Sequence, residues 1–243
     1  MDSHKRQFSY YLFATLPFIF LLLWEWRCVD LFSFLPSYGD VLEVVWGISW
    51  YRKSLFSSEV SPLFTPLVFH PLGWHTATLA HTPFFFALGV PFHLIGGSAF
   101  AYNLLAILSL VVAYLGTMKF LELHVPRIIS ILGAIVYTFA GVRSARMAGG
   151  HLHILWASSL FPWLGWSLSK FSFSIRSDIS RKYLIISGVI WGLMINFSLY
   201  AVFLGGLFLL VVGKYLFSIK TIKSLMVIVS IALLIGSISI IPY

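Results

Sequence analysis

The chain has one cysteine, Cys28, and eight acidic residues among 243. A lone thiol excludes an internal disulfide and a thiolate metal site, so Cys28, near the end of the first apolar run, reads as a packing residue. Charged residues make up 10% of the chain, too few to cover an ordinary soluble domain. Short alternating segments are missing, which argues against a transmembrane β-barrel. Internal repeats and low-complexity tracts are missing too. An apolar run from Phe8 to Trp24 follows Lys5 and Arg6 in the manner of a secretory signal. It continues through Trp26, Cys28 and Leu31 without a small-residue cleavage site, so it reads as an uncleaved first helix.

What the chain does have is apolar and aromatic: 59% hydrophobic residues, with 23 Phe, 11 Tyr and 9 Trp. Repeated apolar stretches of roughly twenty residues are each long enough to cross a ~30 Å hydrocarbon core as a helix. The fold class expected is an all-α, polytopic transmembrane helical bundle. The formal charge of +8 does not indicate nucleic acid, because the Lys and Arg lie between apolar runs rather than on one basic face. They act as topology signals.

Lys5 and Arg6 place the N-terminus in the cytoplasm, so Pro36 onward lies outside. Ser98 to Met118 then crosses inward, putting Lys119, His124 and Arg127 inside, and Ile128 to Val142 crosses outward. Arg143 to His151 reads as a second external loop, and His153 to Ser169 returns. The connection Lys170 to Lys182 is the strongest inside signal, with Lys170, Arg176, Arg181 and Lys182 against Asp178 alone. Tyr183 to Leu216 would measure ~51 Å as one helix, too long for a single crossing, so a hairpin turning near Asn196 to Tyr200 is expected. Ser224 to Ile241 exits again, for about seven spans in all. Phe84 to Ile95 is apolar but short and interrupted by Gly89 and Pro91. As a full span it would invert the Lys170 to Lys182 cluster, so it is assigned to a re-entrant or interfacial helix. The whole of 1–243 thus forms a single transmembrane domain, with a first external loop from about 36 to 97. Ending at Ile240-Ile241-Pro242-Tyr243 as its last helix emerges, it reads as the N-terminal part of a longer protein.

The first external loop holds most of the candidate chemistry. Gly39 to Leu55 has a helical pattern, with Asp40 and Glu43 three apart on one face. The helix is expected to lie along the outer surface and to point both carboxylates into the cavity the spans enclose. Phe69-His70-Pro71-Leu72-Gly73-Trp74-His75, continuing to His81, is a shaped loop that can wall a site. The second external loop brings Arg143, Arg146, His151 and His153 to the same side with no acidic neighbour in sequence. Arginine's planar fork suits phosphate oxygens. Carboxylate, histidine and arginine together point to chemistry on a phosphate-bearing substrate at the membrane surface.

Duller roles compete for the same residues. Asp40 and Glu43 also suit the positive end of a helix dipole, and the two arginines suit lipid headgroups. The spacing of His70, His75 and His81 matches no standard metal signature. Glu25, Arg27 and Asp30 read as mutual ion partners, Asn103 and Asn196 as interhelical hydrogen bonders, and Gly188, Gly192, Gly205 and Gly206 as close-packing positions.

The first span, the long external loop opening with Gly39-Asp40 and Glu43, the His70-Pro71 segment and the short-looped helices resemble the GT-C superfamily of polytopic membrane glycosyltransferases. Within it the likeness is to bacterial integral-membrane proteins such as the YfhO-like group. The resemblance implies transfer, with inversion, of a sugar from a polyprenyl-phosphate donor to an acceptor on the outer side of the cell membrane. It implies catalytic roles for Asp40 and Glu43, and leaves open whether Asp40 is the base itself or acts through a divalent metal ion held with Glu43. Arg143, Arg146, His151 and His153 would bind the donor phosphate, His70, His75 and His81 would wall the site, and membrane lipids would be the remaining partners. The chain departs from the pattern where many members carry a further acid in the second outer loop, and in lacking their soluble C-terminal part. A transporter or flippase, or a non-catalytic membrane subunit of the same fold, are the other readings open at this point.

Overall fold

The computed structural model describes residues 3–37, 39–57, 60–75, 83–173, 179–213 and 219–240. The described residues are mostly helical, with one short hairpin. Helix α1 (Ser3–Trp26) leads into a turn closed by Asp30, which accepts hydrogen bonds from the Phe32 amide and the Ser33 hydroxyl. Arg27 folds back instead, donating to the Trp24 carbonyl at 2.6 Å and lying 4.0 Å over its ring. The expected ion pairing among Glu25, Arg27 and Asp30 is therefore replaced by local bonds. Cys28 is exposed, not packed.

Helix α2 (Asp40–Phe56) begins where Gly39, at φ 90, turns the chain, and Asp40 and Glu43 occupy its first turn, where the dipole favours negative charge. Val41, Val44, Ile48 and Tyr51 recur at helical spacing and are buried against the next long helix. Strands β1 (Phe64–Thr65) and β2 (Trp74–His75) pair antiparallel and frame the segment around His70.

Helix α3 (Pro83–Leu121) is two helices joined across a break at Gly97, whose φ of 82 and ψ of −175 suit only glycine. The break falls between Phe84 to Ile95 and the span expected from Ser98. It is bridged by a chain of side chains in which the Ser98 hydroxyl meets Ser49 of α2 at 2.8 Å and His93 at 3.1 Å. Helix α4 (Arg127–Thr138) packs on α3, and near it Phe18 of α1 stacks on Tyr114 at 4.3 Å.

The segment expected as a second external loop differs from that expectation. Gly141–Ala148 forms a helix, α5, because Arg143, Ala145, Arg146, Met147 and Ala148 are good helix formers and Gly149-Gly150 closes the end. Helices α6 (Leu152–Phe173), α7 (Ile179–Phe197), α8 (Tyr200–Gly213) and α9 (Ile219–Ile240) complete the bundle. Packing runs from α3 to α6 to α7 to α9. A Cβ on Gly188 or Gly192 would come within 2.7 or 2.6 Å of Ile231 or Ile235, which explains the close approach of α7 and α9. Asn196 joins the same pair through the Ile235 carbonyl at 2.8 Å. Gly206, by contrast, faces open space.

Among the described residues, two helices are long and apolar enough to cross a membrane, Phe84–Leu121 and Arg127–Ala148. Thr15–Trp26 and Lys223–Ser237 are shorter apolar helices. Phe84–Leu121 would measure roughly 57 Å if straight, and the break at Gly97 divides it into two shorter segments.

Candidate functional site

The end of α5 builds the site. Gly149 caps the helix, Gly150 at φ 83 takes the left-handed turn, the Gly150 amide donates to the Met147 carbonyl, and the His151 amide reaches back to the Arg146 carbonyl at 2.9 Å. This is a Schellman closure, and it places the residue after the glycine over the last turn of the helix. The His151 ring accordingly lies beside the Arg146 side chain, with Nδ1 3.2 Å from the guanidinium.

Two neighbouring residues of α3 hold the surroundings. The Tyr102 hydroxyl donates to the Met147 carbonyl at 2.7 Å, and the Asn103 amide donates to the Leu31 and Phe34 carbonyls at 3.0 and 2.9 Å. The Ser37 hydroxyl donates to the Ala148 carbonyl at 2.7 Å, closing the path between the residues before α2 and the end of α5. Gly150 presses on the first turn of α2. A Cβ there would fall 2.5 Å from the Asp40 carbonyl carbon and nearer still to the Val41 nitrogen.

Across this contact, His151 Nε2 lies 2.9 Å from Asp40 Oδ2. A guanidinium can only donate, so His151 Nδ1 is the acceptor and its proton sits on Nε2, directed to the carboxylate. Asp40, His151 and Arg146 thus form one chain of hydrogen bonds. Both ring nitrogens of His151 are engaged, which makes it a bridge rather than a free base. Asp40 Oδ1 has no protein partner among the described residues, and the Asp40 side chain is 53% exposed.

No family model, curated protein or solved structure matches this chain. The chemistry of the site is consequently read from its own geometry.

A cavity of about 610 Å³ is lined by Asp40, Arg146, His151 and His153 together with Ile154 and the α8 residues Tyr200, Phe203 and Leu204. The four polar residues come from the two segments that charge counting placed on one side, while α8 was not foreseen as part of the site. Its contribution carries no local signature, because aromatic and aliphatic residues in an apolar helix look alike whether they face lipid, core or cavity. His153 is buried, its ring 6.0 Å from that of His151.

Other expected members lie elsewhere. Arg143 is buried and directed toward α6, with Nη1 2.7 Å from the Ser158 hydroxyl and Nη2 2.8 Å from that of Ser159. Glu43 is half-buried one turn along α2 and does not line the cavity. His70 and His75 are exposed on and beside the hairpin, with the Phe64 ring against that of His75, and neither reaches the cavity. His81 lies outside the described residues.

The described residues do not build a cation site from protein donors alone. Among the described residues no three His, Cys, Asp or Glu side chains are grouped. Asp40 already spends Oδ2 on His151, whose other nitrogen faces a guanidinium. A carboxylate, an imidazole bridge and a cation, opening on apolar walls, suit a hydroxyl beside an anionic group carried on an apolar chain.

Proposed function

We propose that this protein is a multi-pass membrane glycosyltransferase of GT-C type, which transfers a sugar from a polyprenyl-phosphate donor on the extracytoplasmic side of the cell membrane. The observation that carries the reading is the Asp40–His151–Arg146 chain set in a cavity whose far wall is Tyr200, Phe203 and Leu204. About seven spans with a cytoplasmic N-terminus would put this cavity at the outer surface. There its apolar side can take the lipid and its polar side the reacting groups.

In this reading the acceptor hydroxyl lies against Asp40 Oδ1. As its oxygen attacks the anomeric carbon from the face opposite the phosphate, its proton passes to Asp40. The bond from anomeric carbon to phosphate oxygen breaks, its electron pair leaves with the polyprenyl phosphate, and configuration inverts. Arg146 meets the charge that grows on the departing phosphate. His151 couples the two ends, holding the carboxylate by one oxygen and the guanidinium by one N–H. No metal ion is required for this division of labour, because base and cation are both side chains.

The test is transfer of labelled sugar by the whole protein reconstituted with a polyprenyl-phosphate sugar. Asp40→Asn keeps the shape and a hydrogen-bonding group but cannot accept the proton, and should lower the rate by about 10²–10⁴ with membrane insertion intact. Wild-type rates in that variant would contradict the catalytic role of Asp40, and absence of transfer by the wild-type protein would favour a non-catalytic subunit.

A further inference from the structure

Helix α5 is anchored by a charge. Of its eight residues only Arg143 is buried, at 5% exposure, so no apolar stripe fixes how the helix rolls about its axis. The guanidinium reaches α6 instead, donating from Nη1 to the Ser158 hydroxyl and from Nη2 to that of Ser159, and it lies 5.3 Å from the centre of the Tyr137 ring of α4. Both hydroxyls direct their own protons to carbonyls, Ser158 to Leu155 and Ser159 to Ser109 of α3, so lone pairs are what they offer. A planar group that only donates fits such a pair of acceptors. Its Nε–H is sealed with no acceptor, and burying a guanidinium on these terms is costly. An apolar side chain would avoid that cost but could not be directed to two points on α6.

Arg146 lies one helical turn further on and holds the 3.2 Å hydrogen bond to His151. A side chain at the ~5–6 Å radius of a helix moves by about 2 Å for a roll of about 20°, enough to break that bond. Tyr102 and Ser37 grip the last turn of α5 by the Met147 and Ala148 carbonyls, which leaves the first turn to Arg143. We infer that Arg143 is a positioning residue: by fixing the roll of α5 on α6 it sets Arg146 and His151 in line with Asp40, without lining the Asp40 cavity itself. This rests on the transferase reading only for the purpose that the alignment serves.

A double-mutant cycle on the whole protein in nanodiscs tests this, read in transfer rates and separately in distances. Arg143→Lys keeps the charge but loses the fork that spans both serines, and should lower kcat about tenfold with KM little changed. In His151→Ala, where the aligned pair is already lost, the same change should lower kcat by less than about threefold. An equal loss in both backgrounds would assign Arg143 to general stability and overturn the inference. Ser158→Ala, which keeps the guanidinium and removes one acceptor, should lower kcat about two- to threefold, and a wild-type rate there would contradict the clamp. In a Cys28→Ser background, spin labels at Leu42→Cys of α2 and Ala145→Cys of α5, both exposed, should give a narrow distance distribution that broadens in Arg143→Lys. An unchanged distribution would overturn the inference whatever the rates. If the wild-type protein transfers no sugar, the transferase reading falls, and the distance distribution alone decides whether Arg143 positions α5.

Discussion

In the proposed reaction Asp40, His151 and Arg146 divide between them what a displacement at a phosphate-bearing centre requires, and the middle residue acts only through the other two. His151 can therefore be removed without removing base or cation. His151→Ala should lower kcat about tenfold or more with KM little changed, because Asp40 loses the donor that fixes its orientation. His151→Gln, which can still donate to Oδ2, should restore part of the rate, whereas a KM effect in both variants would assign His151 to substrate binding instead. These residue types were legible in the sequence because acids are so few and because arginine and histidine in a chain this apolar stand out. The pairing was not legible, since Asp40 and His151 are 111 positions apart and nothing local links them. Glu43 shows the limit of the same reasoning: sharing a helical face with Asp40 did not bring it to the cavity.

At the scale of elements, the site depends on how one short helix ends. Reading Arg143 to His151 as a loop overlooked α5, although Gly149-Gly150 after Arg146-Met147-Ala148 is the expected signature of a Schellman closure. That closure sets His151 over Arg146, and the missing Cβ of Gly150 lets α5 touch the start of α2. Gly150→Ala should destabilise the protein by about 1–3 kcal/mol from the left-handed backbone alone, with the clash at Asp40 and Val41 adding to it. A thermal midpoint at the wild-type value would show that the contact between α5 and α2 is not formed. The hairpin of α7 and α8 was foreseen from length alone, and its turn at Ser198-Leu199 lies inside the expected Asn196 to Tyr200. Phe84 to Ile95, expected as a separate re-entrant or interfacial helix, lies instead before the Gly97 break of the same apolar helix, α3.

Across the whole molecule, the proposed topology makes a direct prediction about sides. In a Cys28→Ser background, Leu72→Cys and Gly141→Cys, both at exposed positions, should react with an impermeant maleimide added outside intact cells. His124→Cys should react only after the membrane is opened. Labelling of Leu72→Cys and Gly141→Cys from opposite sides would separate the two segments that meet at Asp40 and His151. Charge counting placed these segments together without any knowledge of packing, because Lys and Arg bias is a property of whole loops rather than of contacts. The apolar wall from α8 was beyond its reach for the same reason.

The central claim is that Asp40 and Arg146 face the two ends of one reacting bond. A cryo-electron microscopy structure of the whole protein with a non-hydrolysable prenyl-phosphate sugar tests this most directly. The phosphate is predicted within hydrogen-bonding distance of the Arg146 guanidinium, the anomeric carbon toward Asp40 Oδ1, and the prenyl chain along Tyr200, Phe203 and Leu204. A bound donor whose phosphate lies away from Arg146, or whose sugar cannot reach Asp40, would contradict it.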